Sequence, residues 1–156
     1  MRSVSVATVV LTGSTPMNFT WPSPAQLDAL NARADDPRPI TMLNLLRYRA
    51  AADYTGQPDA SPCSGKAAYA RYAEQAVACV EAFGGRVVFA GGAHVIAIGP
   101  ADERWDDVLL VEYPSTQAFL DMANSERYRA FAFHREAAIE DSRLVLVMAG
   151  EPGYET

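Results

Sequence analysis

The chain has two histidines, and one of them, His134, falls between Tyr128 and Arg135 in a stretch that reads as helix. An imidazole with its ordinary pKa near 6.5 accepts or donates a proton near neutrality with little tuning. A phenol and a guanidinium beside it could hold the oxygens of a carboxylate or phenolate. On a helix Arg135 follows Tyr128 by two turns and lies on a similar face, while His134 shares a face with Phe131 and Ala138, which are expected to meet the core. Tyr128 and His134 are therefore the candidate catalytic pair, and Arg135 a candidate substrate-binding residue. Two structural outcomes compete with that reading. His134 could instead bond a backbone carbonyl, and Arg135 could pair with Asp141 or Glu112.

Three further positions carry polar chemistry on apolar elements. Asn44 interrupts ITMLNLLRY and, in period two, shares a face with Met42 and Leu46. A buried amide there must find partners or lose on the order of 1–3 kcal/mol, so it either orients a ligand or ties down a loop. Glu112 sits in mid-strand on the face of Val108 and Leu110, where its acidity depends on whether it is paired. Tyr69 and Tyr72 sit at helical spacing and read as aromatics at the edge of a core. His94 follows a Gly-Gly pair and would share a strand face with Ile96 and Ile98 as a packing or interface residue.

Composition removes several function classes. A net charge of -6 disfavours a phosphate backbone as partner, and no apolar run approaches the length of a membrane span. Only Arg2 is basic ahead of SVATVVL, which reads as a first strand or flexible lead rather than a secretory core. Cys63 and Cys79 lack zinc-type spacing and suit two free thiols in a reducing cytoplasm. There is no Gly-rich phosphate loop, no Gly-x-Ser-x-Gly elbow and no His-Glu-x-x-His helix, so neither cofactor nor metal is expected.

The elements that must position these residues are legible in order. Residues 12 to 24 hold three prolines and read as linker, ending in a helix capped by Ser23 with Gln26 as its reciprocal partner and stopped by DDPRP. ITMLNLLRY, residues 40–48, is a strand, and residues 49–65 form a long surface loop. Residues 66–83 form a helix stopped by Gly84 and Gly85; RVVFAGGAHVIAIG is two short strands or one bent one; Trp105 to Tyr113 is the next strand. Ser115 caps a helix that pauses near Asn124 and restarts from Ser125, and Ser142 to Met148 is the last strand. Residues 1–37 are then an extension with one short helix, 38–150 a βαββαβ unit of ferredoxin-like, split type, and 151–156 a tail. The strands alternate poorly, so the sheet face away from the helices is too apolar for water. A second copy across a two-fold axis is its simplest cover, giving a homodimer.

The phrases PITMLNLLRYR, YARYAEQAVACVEAFGGRVVFAGG and WDDVLLVEYPSTQAFLDMANSERYRAFAFHREAAIEDSRLVLV resemble the dimeric α+β barrel superfamily, and within it the family of domain of unknown function 1330. The YPS, SERY and HREAAIEDSRL stretches are the more specific parts. The resemblance implies an α+β fold and a ligand cavity between sheet and helices, for which Asn44, Tyr69, Tyr72, Trp105, Glu112, Tyr128 and His134 would supply the lining. The wider superfamily includes polyketide cyclases, muconolactone-type isomerases, cofactor-free monooxygenases and small stress-response domains. It implies a cofactor-independent cyclase or isomerase acting on a hydrophobic, oxygen-rich molecule, with non-catalytic binding or cofactor-free oxygenation as alternatives.

Overall fold

The computed structural model describes residues 18–153, so the SVATVVL run lies outside the described residues. The first helix, α1 (Pro24–Asn31), begins at a reciprocal cap: the Gln26 N–H donates to Ser23 Oγ at 3.3 Å, and the Ser23 N–H donates to Gln26 Oε1 at 2.9 Å. Then come β1 (Ile40–Tyr48), α2 (Gly65–Ala82), β2 (Arg86–Gly92), β3 (Asp107–Tyr113), α3 (Thr116–Asn124), α4 (Glu126–Arg129), α5 (Ala132–Ala138) and β4 (Ile139–Val147). The four strands pair antiparallel in the order β2-β3-β1-β4, the ferredoxin-like arrangement expected of the βαββαβ unit. Gly84, at φ 82°, turns the chain out of α2 toward the sheet. Ser125 restarts the broken helix by accepting from the Tyr128 N–H at 3.1 Å.

Two stretches differ from expectation. AHVIAIG forms no strand, because the Ala93 N–H donates to the Asp106 carbonyl and ends the ladder with β3. The chain beyond leaves the sheet, with Val95 82% and Ile98 98% exposed, so His94 shares no strand face with Ile96 and Ile98. The last strand begins at Ile139, three residues early, since α5 runs straight into β4 and Ile139 packs opposite Tyr48 without a loop.

Residues paired across an antiparallel ladder share a face, which sorts the sheet into two sides. Toward the helices point Ile40, Met42, Asn44, Leu46 and Tyr48 of β1, with Asp107, Leu109 and Val111 of β3 and Ser142, Leu144 and Leu146 of β4. The other side carries Leu43, Leu45, Val108, Leu110, Val145 and Val147, and Phe89 is 54% exposed there. Among the described residues nothing covers this apolar face. Among the described residues no helix is long and apolar enough to cross a membrane.

The helix-side core falls into two parts. One joins Ile40 and Met42 to Ala76, Cys79, Val80, Met122 and Phe131; the other joins Leu46 and Tyr48 to Ala68, Ala138 and Ile139. Cys63 and Cys79 are both free thiols.

Candidate functional site

Asn44 occupies the seam between the two parts of the core. It faces the helices between buried Met42 and Leu46, yet it is only half-buried. Its side-chain amide donates back to the Met42 carbonyl at 3.2 Å, which satisfies one of its donors. Leu109 and Leu144 flank it on the neighbouring strands, and Leu144, on the edge strand, is 43% exposed.

A rank of aromatics crosses above this floor. The rings of Tyr48 and Tyr69 lie 5.2 Å apart, those of Tyr69 and Tyr72 likewise 5.2 Å, and Tyr72 meets Tyr128 edge-on at 6.1 Å. Residues 69 and 72 come together because they are one turn apart on α2, while Ser125 caps the short helix that presents Tyr128. The Tyr72 and Tyr128 hydroxyls are 3.1 Å apart, a hydrogen bond in which one proton is spent and the other stays available. Burial pushes the Tyr72 phenol well above its ordinary pKa, and burial offset by the charge of Arg135 leaves Tyr69 at about 12. These phenols are protonated donors at neutral pH. At the far end of the rank the Tyr48 hydroxyl donates to Asp107 Oδ2 at 2.5 Å. Asp107 is the one acidic residue that the ladder pairing places on the helix side among the described residues.

Arg135 forms no ion pair with either expected acid. Asp141 is taken by Arg143 at 2.8 Å and Arg47 at 3.7 Å, and Glu112 is taken by Arg86 at 3.3 Å. The guanidinium of Arg135 instead donates to the Thr20 carbonyl at 2.9 Å and to Ser142 Oγ at 3.4 Å, and it lies 5.5 Å from the centre of the Trp21 ring. The segment bearing Thr20 and Trp21, expected as linker, is a strap along the β4 edge: the Phe19 N–H donates to Asp141 Oδ1, and the Ser142 N–H and hydroxyl both donate to the Phe19 carbonyl.

The structure thus sets Tyr69, Tyr72 and Tyr128 in one rank with the charge of Arg135 beside it, puts Asn44 on the sheet face against which that rank packs, and sets three expected residues apart. Glu112 lies on the opposite face of the sheet with Arg86. Trp105 is buried beside Arg143, its indole N–H bonded to Glu103, and lines a hollow of about 210 Å³ under residues 93–104. His134 turns toward the loop between β1 and α2, where its Nδ1 is 2.7 Å from the Tyr54 hydroxyl. Arg71 donates to that same hydroxyl at 3.3 Å and to the Ser61 carbonyl at 2.9 Å, which leaves the Tyr54 proton free to point at Nδ1. Partial burial, with the positive charge of Arg71 beside it, lowers the His134 pKa. His134 is therefore a neutral clasp on the loop. The root of that loop is close-packed: a Cβ on Gly65 would stand 2.2 Å from the Arg49 carbonyl oxygen.

Tyr48, Asp107, Ser142 and the strap were not singled out from sequence. Asp107 and Ser142 become visible only once the strand register is known. Phe19 and Trp21, alternating in a Pro-rich stretch, were the available sign of an extended edge segment. Among the described residues no cluster of three or more His, Cys, Asp or Glu side chains is placed to hold a metal ion.

Residues 63–149 match the family model described as "Domain of unknown function (DUF1330)". The chain belongs to this family. The expected DUF1330 membership is thereby established, and the matched span includes both helices of the tyrosine cluster. Among solved structures, the DUF1330 chain is similar to a protein of unknown function from Rhodopseudomonas palustris, with 38% identity over 87% of this chain and 100% of that one, at a TM-score of 0.78. A methylated form of that protein matches at 39% identity, 88% and 98% coverage and the same TM-score. A hydroxynitrile lyase from Passiflora edulis is a distant likeness at 13% identity, covering 74% of this chain and 99% of that one, with a TM-score of 0.46. No curated protein matches the sequence.

Proposed function

We propose that the seam over Asn44 binds a hydrophobic small molecule bearing a carbonyl or enol oxygen, and that the protein is a cofactor-independent enzyme of cyclase or isomerase type. The observation that carries this reading is the Tyr72–Tyr128 hydroxyl pair, 3.1 Å apart, above a floor interrupted by a half-buried amide. Neutral phenols held in a low-dielectric setting stabilise an oxyanion by hydrogen bonding, and Arg135 adds positive charge. The polarised carbonyl loses a proton from its neighbouring carbon to water, since Asp107, bonded to Tyr48 at the other end of the rank, is too far from an oxygen held by Tyr72 and Tyr128 to serve as the base. The electron pair moves to oxygen, where the phenols hold the enolate. Return of the proton to a different carbon is an isomerisation; attack of the enolate carbon on a second carbonyl is a cyclisation. In this assignment His134 acts on the loop rather than on the reacting atoms.

A second reading, binding without turnover, is favoured by Asp107, whose Oδ2 is already occupied by the Tyr48 hydroxyl at 2.5 Å and which stands away from the Tyr72–Tyr128 pair. Exchange of the α-protons of an aromatic β-diketone in deuterated buffer, followed by NMR, separates the two. Turnover predicts exchange faster than buffer alone and about a hundredfold slower in Tyr128→Phe. Exchange at the buffer rate despite binding leaves only the second reading.

We also infer that the open sheet face closes against a second copy. Leu43, Leu45, Val108, Leu110, Val145 and Val147 make it apolar across three strands, and two such faces related by a two-fold axis would cover one another. Two unbridged thiols suit a reducing, cytoplasmic setting.

A further inference from the structure

Arg135 is a half-buried guanidinium without an acidic partner among the described residues, whereas Arg47, Arg86, Arg104 and Arg143 each have one. Its strongest contact is a neutral carbonyl, that of Thr20 at 2.9 Å. A carboxylate offers the same donors a charge-assisted and bidentate bond, roughly twice as strong as one to a neutral acceptor. The guanidinium is also part of the seam, since its charge acts on the hydroxyls of both Tyr69 and Tyr72 and its second nitrogen reaches Ser142 on the helix side of the sheet.

The carbonyl that occupies Arg135 belongs to the strap, whose two aromatic rings stay partly in solvent. The strap has Phe19 42% and Trp21 48% exposed, and their rings lie near Arg143 and Arg135 at 5.0 and 5.5 Å. Contacts of this kind at exposed sites are weak. Thr20 and Trp21 touch Arg135 on one side and on the other line a hollow of about 280 Å³ shared with Arg49, Asp53, Phe133 and Glu136. The indole therefore has space to move into without unpacking the core.

We propose that the ligand of the seam carries a carboxylate, which takes Arg135 from the Thr20 carbonyl and releases the strap from the β4 edge. This inference rests on the reading of the seam as a ligand site and adds the chemical class of the ligand and the segment it displaces. Because the strap competes with the carboxylate, any change that loosens the strap raises apparent affinity by the fraction of molecules it frees.

The test is titration calorimetry on the full chain with 2-naphthoate and with neutral 2-acetylnaphthalene, paired with amide exchange at Ser142, whose N–H is shared between the Phe19 carbonyl and Asp141 Oδ1 and loses the first of these when the strap leaves. Trp21→Ala and Phe19→Ala are each expected to bind 2-naphthoate about two- to fivefold more tightly than the parent while leaving 2-acetylnaphthalene unchanged. Arg135→Gln is expected to lose the preference for the carboxylate in every background. Addition of 2-naphthoate is expected to speed exchange at Ser142. Unchanged or weaker 2-naphthoate binding in both strap variants, or a Ser142 amide as protected with ligand as without, overturns the strap proposal while normal 2-acetylnaphthalene binding leaves the seam reading standing. Failure of both probes to bind any of these chains overturns the two together.

Discussion

The hydroxyls of Tyr72 and Tyr128 meet at 3.1 Å, joining the long helix after the loop to the four-residue helix before α5. Removing one oxygen leaves the other phenol buried with a lost partner. Tyr128→Phe is expected to cost about 1 kcal/mol in urea unfolding, the net worth of one buried hydrogen bond. Tyr72→Phe is expected to cost a similar amount, and the double variant less than the sum of the two. An additive double variant contradicts the pairing.

Alkaline pH probes the same cluster. Burial raises the pKa of Tyr48, Tyr69, Tyr72 and Tyr113 above the ordinary value of 10.0. The unfolded chain then releases protons first as pH rises, so stability is fully present below about pH 10 and is lost above it. Ultraviolet titration is expected to show these four phenols ionising only together with unfolding. A full complement of tyrosinates at pH 10.5 in a chain with native circular dichroism would sink this account.

Acid pH reports on the loop clasp instead. The lowered pKa of His134 means that the unfolded chain takes up the proton first, so stability is present above about pH 6.5 and falls as pH drops toward the folded value. Protonated His134 faces Arg71 and the Tyr54 hydroxyl, which already accepts from Arg71. Amides near Tyr54 are therefore expected to exchange faster at pH 5 than at pH 7 after correction for intrinsic rates. His134→Gln is expected to flatten that difference, and a profile unchanged by the variant would remove His134 from the clasp.

The sequence was informative where local rules govern. Ser23 with Gln26, Ser125 ahead of Tyr128, and Gly84 after α2 all act through neighbours, and each stands as expected. Asn44 was placed on its face by period two alone. Long-range partners were another matter. Arg135 was expected to pair with Asp141 or Glu112, but Arg143 and Arg86 reach those acids first, and that choice depends on strand order and register. His134 was assigned to the core side by its spacing from Phe131 and Ala138, and the loop carrying Tyr54 turned it into a clasp. Glu112 was recognised as a mid-strand acid, yet its face lies opposite that of Asn44.

The uncovered sheet face makes its own prediction. Leu110→Lys places a charge at the middle of β3 on that face, opposite Leu43. Sedimentation is expected to change from dimer to monomer, because the dimer would bury an unpaired ammonium at a cost of several kcal/mol. A parent chain that sediments as a monomer would refute the two-fold cover.

The position of a bound ligand tests the central claim most directly. Crystals soaked with 2-acetylnaphthalene are expected to show its ring over Asn44 and its oxygen within about 2.6–3.2 Å of the Tyr72 or Tyr128 hydroxyl. Density confined to the hollow beside Trp105 or to the one beside Phe133, with the tyrosine pair undisturbed, would contradict it.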